Sequence, residues 1–148
     1  HGLDYTTVRP SAVYGPLDNS NRVVGQFLIN SMRDKKLSVN GDTERLDFTY
    51  IDDLAKGIID ALFKGKKGIY HLTRGQSATI KHVAETIVKL VGKGTVEIKE
   101  KDTAFPSRGT LNISKAKTDF NFDPKISIDN GLEMYYNWIK DAEFYKEK

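Results

Sequence analysis

Short β-type segments alternate with amphipathic helical segments along this chain, and this alternation restricts the possible folds more than any other feature of the sequence. Runs of β-branched and aromatic residues predict strands over residues 5–8, 36–39, 46–50, 69–72 and 96–101. Apolar residues at helical spacing predict helices over residues 22–33, 51–62, 80–91, 115–120 and 128–142. Strands and helices that alternate in this way are typical of α/β proteins, and no internal repeat or low-complexity linker divides the chain. We therefore expect one α/β domain.

The helix over residues 51–62 has the clearest apolar stripe. Its members recur at i, i+3, i+4, i+7, i+8 and i+11, and they are Ile51, Leu54, Ala55, Ile58, Ile59 and Leu62. This spacing predicts that the stripe is the buried face of the helix. Asp52 and Asp53 stand in the first turn, where we expect carboxylates to cap the helix instead of performing acid–base chemistry.

The other helices have end residues that are typical of caps. Thr79 is expected to cap the helix over residues 80–91, and Gly92 to end it. Ser114 is expected to cap the short helix that follows, and Ser127 or Asp129 to start the last helix. These signals place the helix boundaries within the α/β pattern.

Composition excludes several function classes. The 148 residues include 39% hydrophobic and 29% charged residues, which is an ordinary globular balance. The net charge of +3 is a small excess of 23 basic over 20 acidic residues. Aromatic residues do not interleave with the lysine clusters, so we expect no nucleic-acid partner. No apolar run has the length that crosses a bilayer, so we expect no membrane association.

Cysteine and histidine give no support for a metal site. The chain has no cysteine, which excludes disulfides and thiolate ligands and agrees with a reducing cytoplasm, where we expect the protein to act. The three histidines, His1, His71 and His82, lack metal-ligand spacing, and we expect His82 to lie on the surface. We therefore expect no bound metal.

The chain begins at His1 without an initiator methionine and soon enters a predicted strand, so we expect it to be a fragment of a longer protein. It has no glycine-rich phosphate loop and no Gly-x-Ser-x-Gly nucleophile motif. From these patterns we expect no catalytic residue within it.

Six segments, read in order, match motifs of one enzyme family. They are Val8–Pro16 (R-P-x-x-V-Y-G-P), Asp47–Leu54 (D-F-x-Y-V-x-D), Gly68–Leu72 (G-x-Y-N-L), Asn112–Ala116 (D-x-S-K-A), Phe122–Pro124, and Gly131-Leu132 with Trp138. On these motifs the chain resembles the extended short-chain dehydrogenase/reductase family, and within it the NAD-dependent epimerases and dehydratases. The resemblance covers nearly the whole chain.

This resemblance implies a fold, and it implies that cofactor binding and substrate binding belong to different parts of the enzyme. It implies that residues 1–148 are the C-terminal portion of a Rossmann-type enzyme, with its small α/β substrate-binding domain. The family's N-terminal part binds NAD and contributes a catalytic Tyr-x-x-x-Lys pair, both expected upstream of this segment. The chain alone is therefore expected to be inactive. The complete enzyme is expected to be a homodimer that binds NAD and a nucleotide sugar.

The resemblance also implies site residues. The family's nicotinamide contacts fall on the loop Pro10, Ser11, Ala12 and Val13. Its nucleotide-sugar contacts fall on Ala12, Arg22, Val23, Ser38, Asn40, Leu46 and Arg108. In relatives the residue at the position of Arg108 is an arginine that binds the diphosphate, and a guanidinium suits that task because it is always charged and bonds two oxygens at once.

Two positions depart from the family pattern. Ala12 stands where relatives often have asparagine, and Leu46 where they commonly have arginine. Arg45 does not replace the latter, because neighbouring side chains on a strand face opposite sides. The parent is interpreted first as a UDP-sugar 4-epimerase. A 4,6-dehydratase, or a reductase acting on another carbonyl compound, is the alternative.

A third interpretation is a binding module that acts without the other half. The strand at residues 5–8 would then lack its neighbours in the sheet and expose unpaired backbone groups. For this reason we expect the isolated chain to self-associate through that edge.

Overall fold

Strands and helices alternate in the computed structural model, which describes residues 2–18, 22–102 and 108–142. Its elements, in chain order, are β1 (Thr6–Pro10), β2 (Val13–Tyr14), α1 (Val23–Met32), β3 (Lys36–Asn40), β4 (Arg45–Leu46), β5 (Thr49–Tyr50), α2 (Ile51–Lys64), β6 (Gly68–Leu72), β7 (Ala78–Thr79), α3 (Ile80–Val91), β8 (Thr95–Lys99), α4 (Ser114–Phe120) and α5 (Ile128–Asp141). The α/β class predicted from the sequence is confirmed. None of the described helices is long and apolar enough to cross a membrane.

Parallel pairing joins elements that are distant in sequence. Strand β1 pairs with β6, β2 with β5 and β3 with β8, all parallel, whereas β4 and β7 are antiparallel. The single strand predicted over residues 46–50 is wrong, because the ladder is interrupted at Asp47 and Phe48. The two halves of this segment therefore pair with different partners.

Two clusters of buried side chains hold the layers together. The larger joins α1, α3 and α5 to β3 through Leu28, Leu37, Ile87, Leu132, Tyr135 and other apolar residues. The smaller joins α2 and α4 to β6 through Leu54, Tyr70, Leu72, Ala116, Phe120 and Phe122. The helices are thus positioned by packing on the strands, which fixes the loops between them.

Helix α2 buries only part of the predicted stripe, because Leu54 is buried but the later members are exposed. Ile58, Ile59 and Leu62 are 46%, 56% and 75% exposed, while Gly57 and Ala61 are buried. A Cβ atom on Gly57 would lie 2.5 Å from the Phe122 ring, so only glycine allows this close approach. The face with Gly57 and Ala61 packs inward because its small residues let the helix approach the Phe122 ring. The larger apolar side chains of α2 are left exposed.

Two of these outward residues belong to an exposed, largely apolar surface, which we call the α2 face. It comprises Ile58 and Leu62 together with Tyr5 of the N-terminal segment and Val8 of β1, around a groove of about 630 Å³. Within the described residues, β1 pairs only with β6, so its other edge is open. An apolar face beside an open strand edge is typical of an association surface.

Asp47 has a buried carboxylate that links three segments. Its side chain is 0% exposed. Oδ2 accepts hydrogen bonds from the Thr73 hydroxyl at 2.9 Å and the Leu111 amide at 3.0 Å, and Oδ1 accepts one from the Gly75 amide at 3.1 Å. The link between β4 and β5, the loop after β6 and the segment before α4 are therefore tied to one side chain.

Asp53 does not cap α2, so that prediction is wrong. The N-cap residue is Tyr50, which makes no side-chain capping bond. The Asp53 carboxylate instead accepts hydrogen bonds from the amides of Lys125 and Ile126, at 3.0 and 2.8 Å. It therefore fixes the segment that leads into α5.

Most of the other caps are where the sequence predicted them. The Thr79 hydroxyl accepts a bond from the His82 amide, and Gly92 ends α3 with a φ of 76°. Ser127 is the cap of α5. Ser114 is the first residue of α4 and not its cap, because the Asn112 side chain accepts the bond from its amide.

We predict that Leu62→Glu reduces self-association of the chain without lowering its Tm. The side chain is 75% exposed, so a carboxylate costs little in the monomer but is unfavourable in an apolar contact. Sedimentation velocity checks this, with Met134→Glu on α5 as the control at another exposed apolar position. A wild-type chain that stays monomeric at every concentration would contradict the prediction.

We predict that Asp47→Asn lowers the free energy of unfolding by roughly 2–4 kcal/mol, because charge-assisted bonds to buried donors are lost. Urea denaturation of the variant measures this. Asp42→Asn, at an exposed turn position, is the matched control and should leave stability within experimental error. Equal stability of the two variants would show that Asp47 does not organise the fold.

Candidate functional site

Two adjacent cavities flank the loop between β1 and β2. The first, here the loop cavity, has a volume of about 470 Å³ and includes Pro10, Leu17, Asp18 and Ile51 in its lining. The second, here the arginine cavity, has a volume of about 290 Å³ and includes Val23, Leu46, Phe48 and Arg108. Both share the wall formed by Ala12, Val13, Tyr14 and Arg22. The cavities therefore form one composite site.

The shared wall is built by parallel pairing. Val13 and Tyr14 of β2 lie opposite Thr49 and Tyr50 of β5. Just before β2, Ala12 has a positive φ of 39°, and its carbonyl accepts a hydrogen bond from the Thr49 amide at 3.3 Å. This turn directs the chain from the carboxyl end of β1 across the cavity mouth, where ligands bind in open parallel sheets.

Arg22 contributes a positive charge at the boundary of the two cavities. Its Nη1 donates to the Val13 carbonyl at 3.4 Å, and its Nε lies 3.7 Å from the Asp18 carboxylate. Arg108 adds a second guanidinium to the arginine cavity. Two arginines around an otherwise apolar cavity favour an anionic ligand, and their planar forks suit phosphate oxygens.

Tyr14 forms the floor of the site and was not predicted to contact a ligand. Its side chain is 2% exposed, and its ring meets the rings of Phe48 and Tyr50 edge-on at 6.2 and 5.5 Å. Burial, with smaller effects from nearby Tyr50 and Asp53, raises the pKa of Tyr14 far above its ordinary value. The phenol therefore stays neutral and packs against the neighbouring rings.

The structure brings together some of the predicted site residues and separates others. Ala12, Val13, Arg22, Val23, Leu46 and Arg108 line the arginine cavity, and Pro10 lines the loop cavity. Ser11 lines neither cavity, and Ser38 and Asn40 lie on β3 outside both. Arg45 is exposed and absent from the arginine cavity that Leu46 lines, so their predicted opposite orientation is confirmed.

Ser38 is engaged by a neighbouring strand. Its hydroxyl donates to the Glu97 carboxylate at 3.2 Å, and the Lys36 ammonium donates to the same carboxylate at 3.1 Å. Lys36 is the main reason that the pKa of Glu97 lies below its ordinary value, and the Ser38 hydroxyl adds to the effect. A nucleotide base would therefore compete with Glu97 for this hydroxyl.

One Tyr-x-x-x-Lys spacing does occur in the chain, at Tyr136 and Lys140, and sequence reasoning missed it. Both residues are on α5 and line neither cavity. The Lys140 ammonium lies 5.8 Å from the centre of the Tyr136 ring and donates to the Asn137 side chain. This pair is therefore a feature of the helix surface.

The histidines that the structure describes belong to no cluster of metal-ligating side chains. Among residues 2–18, 22–102 and 108–142, no group of three or more His, Cys, Asp or Glu side chains could hold a metal ion. His82 is on the surface, as predicted, with Nε2 2.8 Å from the Asp129 carboxylate. His1 lies outside the described residues.

The site region matches a known family. Residues 1–72, which contain the shared wall and the whole lining of the loop cavity, match the model of the NAD dependent epimerase/dehydratase family. Just under half of the chain is therefore similar to this family. The resemblance stated from the motifs is thereby confirmed.

Two curated relatives have different activities. The chain is 34% identical over 147 residues to UDP-glucuronate 4-epimerase of Thermodesulfobacterium geofontis, covering 95% of this chain and 45% of that protein. It is 27% identical over 151 residues to dTDP-glucose 4,6-dehydratase of Streptomyces niveus, covering 99% of this chain and 45% of that one. The chain thus spans less than half the length of these relatives.

A solved structure shares the fold. The crystal structure of UDP-glucuronic acid 4-epimerase from Bacillus cereus, in complex with UDP-glucuronic acid and NAD, superposes with a TM-score of 0.81 at 30% identity. The match covers 90% of this chain and 44% of that one. The predicted fold, that of a portion of a Rossmann-type extended short-chain dehydrogenase/reductase, is confirmed. The assignment of residues 1–148 to a single C-terminal substrate-binding part stays a prediction.

We predict that Lys36→Gln and Ser38→Ala both raise the pKa of Glu97 toward its ordinary value, Lys36→Gln by more. A depressed carboxyl pKa stabilises the fold above the unfolded-state pKa, and this contribution is lost as the pH falls through the folded-state pKa. Carboxyl-detected NMR titration measures the change, with Lys89→Gln on α3 as the control. An unchanged Glu97 pKa in Lys36→Gln would contradict the assignment.

Proposed function

We propose that this chain is the substrate-side part of an NAD-dependent nucleotide-sugar epimerase, with UDP-sugars as substrates and C4 of the sugar as the reacting centre. The observation that supports this most is the arginine cavity, where Arg22 and Arg108 line a largely apolar space that shares a wall with the loop cavity. The 4-epimerase relative and the superposed 4-epimerase structure support the reaction type.

In this proposal the arginine cavity binds the nucleotide diphosphate. Arg108 and Arg22 neutralise its charge, and Val23 packs beside it. Ala12 and Leu46 offer no charge to the phosphates, so the two arginines provide the charge of the pocket. Ser38 and Asn40 flank the base, which must then extend beyond the cavity to β3 and compete with Glu97 for Ser38.

The loop cavity faces the cofactor in this proposal. Pro10, Ala12 and Val13 line it with apolar groups at the carboxyl end of a parallel strand, and this lining fits a nicotinamide ring. Ser11 lies in the same loop and contributes its backbone. When NAD is bound, it supplies the reversible hydride exchange that epimerisation at C4 requires.

The chain's own residues bind, orient and exclude water. Val13, Tyr14 and Phe48 form apolar walls, and the neutral Tyr14 keeps its proton at neutral pH. No residue of the composite site is assigned to proton transfer, so we place the catalytic base outside this chain. We further propose that the complete enzyme is a cytoplasmic homodimer and that this part alone is inactive.

The 4,6-dehydratase is the second candidate, and the Streptomyces niveus relative is the observation that favours it. A reductase acting on another carbonyl compound is motivated by Ala12 and Leu46. A polypeptide that joins this chain to the cofactor-binding half, supplied with UDP-sugars, distinguishes the three. An epimerase interconverts UDP-sugars that differ at C4, and a dehydratase releases water from the sugar. A reductase that acts on another carbonyl compound leaves the UDP-sugars unchanged.

We predict that UDP binds the chain and that Arg108→Ala weakens this binding about tenfold or more, since a charge-assisted bond to phosphate contributes roughly 1.5–3 kcal/mol. NMR titration of the labelled chain with UDP measures the affinity, with shifts expected at Val13 and Val23. Arg45→Ala removes an exposed arginine outside the cavity and is the matched control. Equal weakening of UDP binding in both variants would mean that the affinity depends on the net charge of the chain and not on Arg108.

A further inference from the structure

Leu17 occupies a turn position that disfavours leucine. The Asp18 amide donates to the Gly15 carbonyl at 3.2 Å, which closes a four-residue turn with Pro16 second and Leu17 third. Leu17 has a φ of 64°. Proline followed by a positive φ is the pattern of a type II turn, and its third position is normally glycine or asparagine. The backbone here is therefore strained by the choice of side chain.

The other positive-φ positions have residues that tolerate this conformation. Of the non-glycine residues with positive φ that the structure describes, Asp34 and Asn121 are of types enriched there, and Ala12 has only a methyl group. Leu17 is the large apolar exception. Strain of this kind is found most often at functional sites, where the side chain has a task that outweighs it.

Packing within the chain does not explain Leu17. Its side chain is 86% exposed, although it lines the loop cavity together with Pro10 and Ala12. A leucine that is both strained and uncovered gains stability when a ligand or another part of the complete protein covers it. Because Leu17 lines the loop cavity, a ligand in that cavity can be the covering group.

The geometry of the two cavities indicates which part of the ligand Leu17 contacts. Leu17 lines the loop cavity and is absent from the arginine cavity, where the diphosphate is proposed to bind. In the proposed reaction the sugar must lie between the diphosphate and the nicotinamide. The sugar therefore crosses the shared wall into the loop cavity, and its C–H face meets the apolar lining there.

We infer that Leu17 is a specificity-determining residue that packs against the sugar ring of the bound nucleotide sugar. The inference rests on the proposed function and deepens it. Leu17 takes no part in proton or hydride transfer. It gives the sugar side of the pocket an uncharged wall, held at the cavity mouth by the rigid Pro16 turn.

The test compares UDP with UDP-glucose on the complete chain by NMR titration. Leu17→Gly should weaken UDP-glucose binding about fivefold, because the apolar contact is lost, and leave UDP binding within about twofold. Its Tm should not fall, since glycine suits the positive φ. Leu17→Met, which keeps an apolar side chain, should retain UDP-glucose affinity.

Asn121→Gly is the matched control, at a positive-φ position that follows α4 and lines neither cavity. It should change neither affinity. Unaltered UDP-glucose affinity in Leu17→Gly, or equal weakening of UDP and UDP-glucose binding, would overturn the role of Leu17. The proposed function would be unaffected by either result. A wild-type chain that binds neither ligand would overturn the proposed function and this inference with it.

Discussion

The buried carboxylate of Asp47 is the interaction on which the rest of the structure depends. It satisfies the Gly75 and Leu111 amides and the Thr73 hydroxyl with two oxygens, in a place that water does not reach. A buried charge of this kind is tolerated only when it is fully hydrogen-bonded. The link between β4 and β5, the loop after β6 and the segment before α4 must therefore be in place together. The strand is interrupted at Asp47, where the side chain makes these bonds.

The position of the candidate site follows from this arrangement. Leu111 lies three residues after Arg108, so the bond to Asp47 holds the segment that brings Arg108 to the arginine cavity. Asp53 acts similarly on the segment before α5 through Lys125 and Ile126. The two aspartates belong to one family motif, and in this structure their hydrogen bonds organise loops.

Periodicity and capping residues were sufficient for the helices, and runs of β-branched and aromatic residues for β1, β3, β6 and β8, because these features are local, whereas the two-residue strands β2 and β7 were missed. Periodicity failed for the later part of α2, where the buried face was decided by the close approach of Phe122 to Gly57, a long-range contact. The site was predicted in part by motif resemblance. Ser38 was not brought to the cavities, and Leu17 was missed because its signal, a leucine after Gly15-Pro16, has meaning only once φ is known.

Hydrogen exchange of individual amides in the wild-type chain tests the central claim most directly. If Asp47 ties the segments together, the Gly75 and Leu111 amides exchange slowly and at similar rates, in the same opening event, while the exposed Gly109 exchanges quickly. Exchange of Leu111 at the rate of Gly109 would show that the segment bearing Arg108 is not fixed by Asp47. The account of the site would then be contradicted.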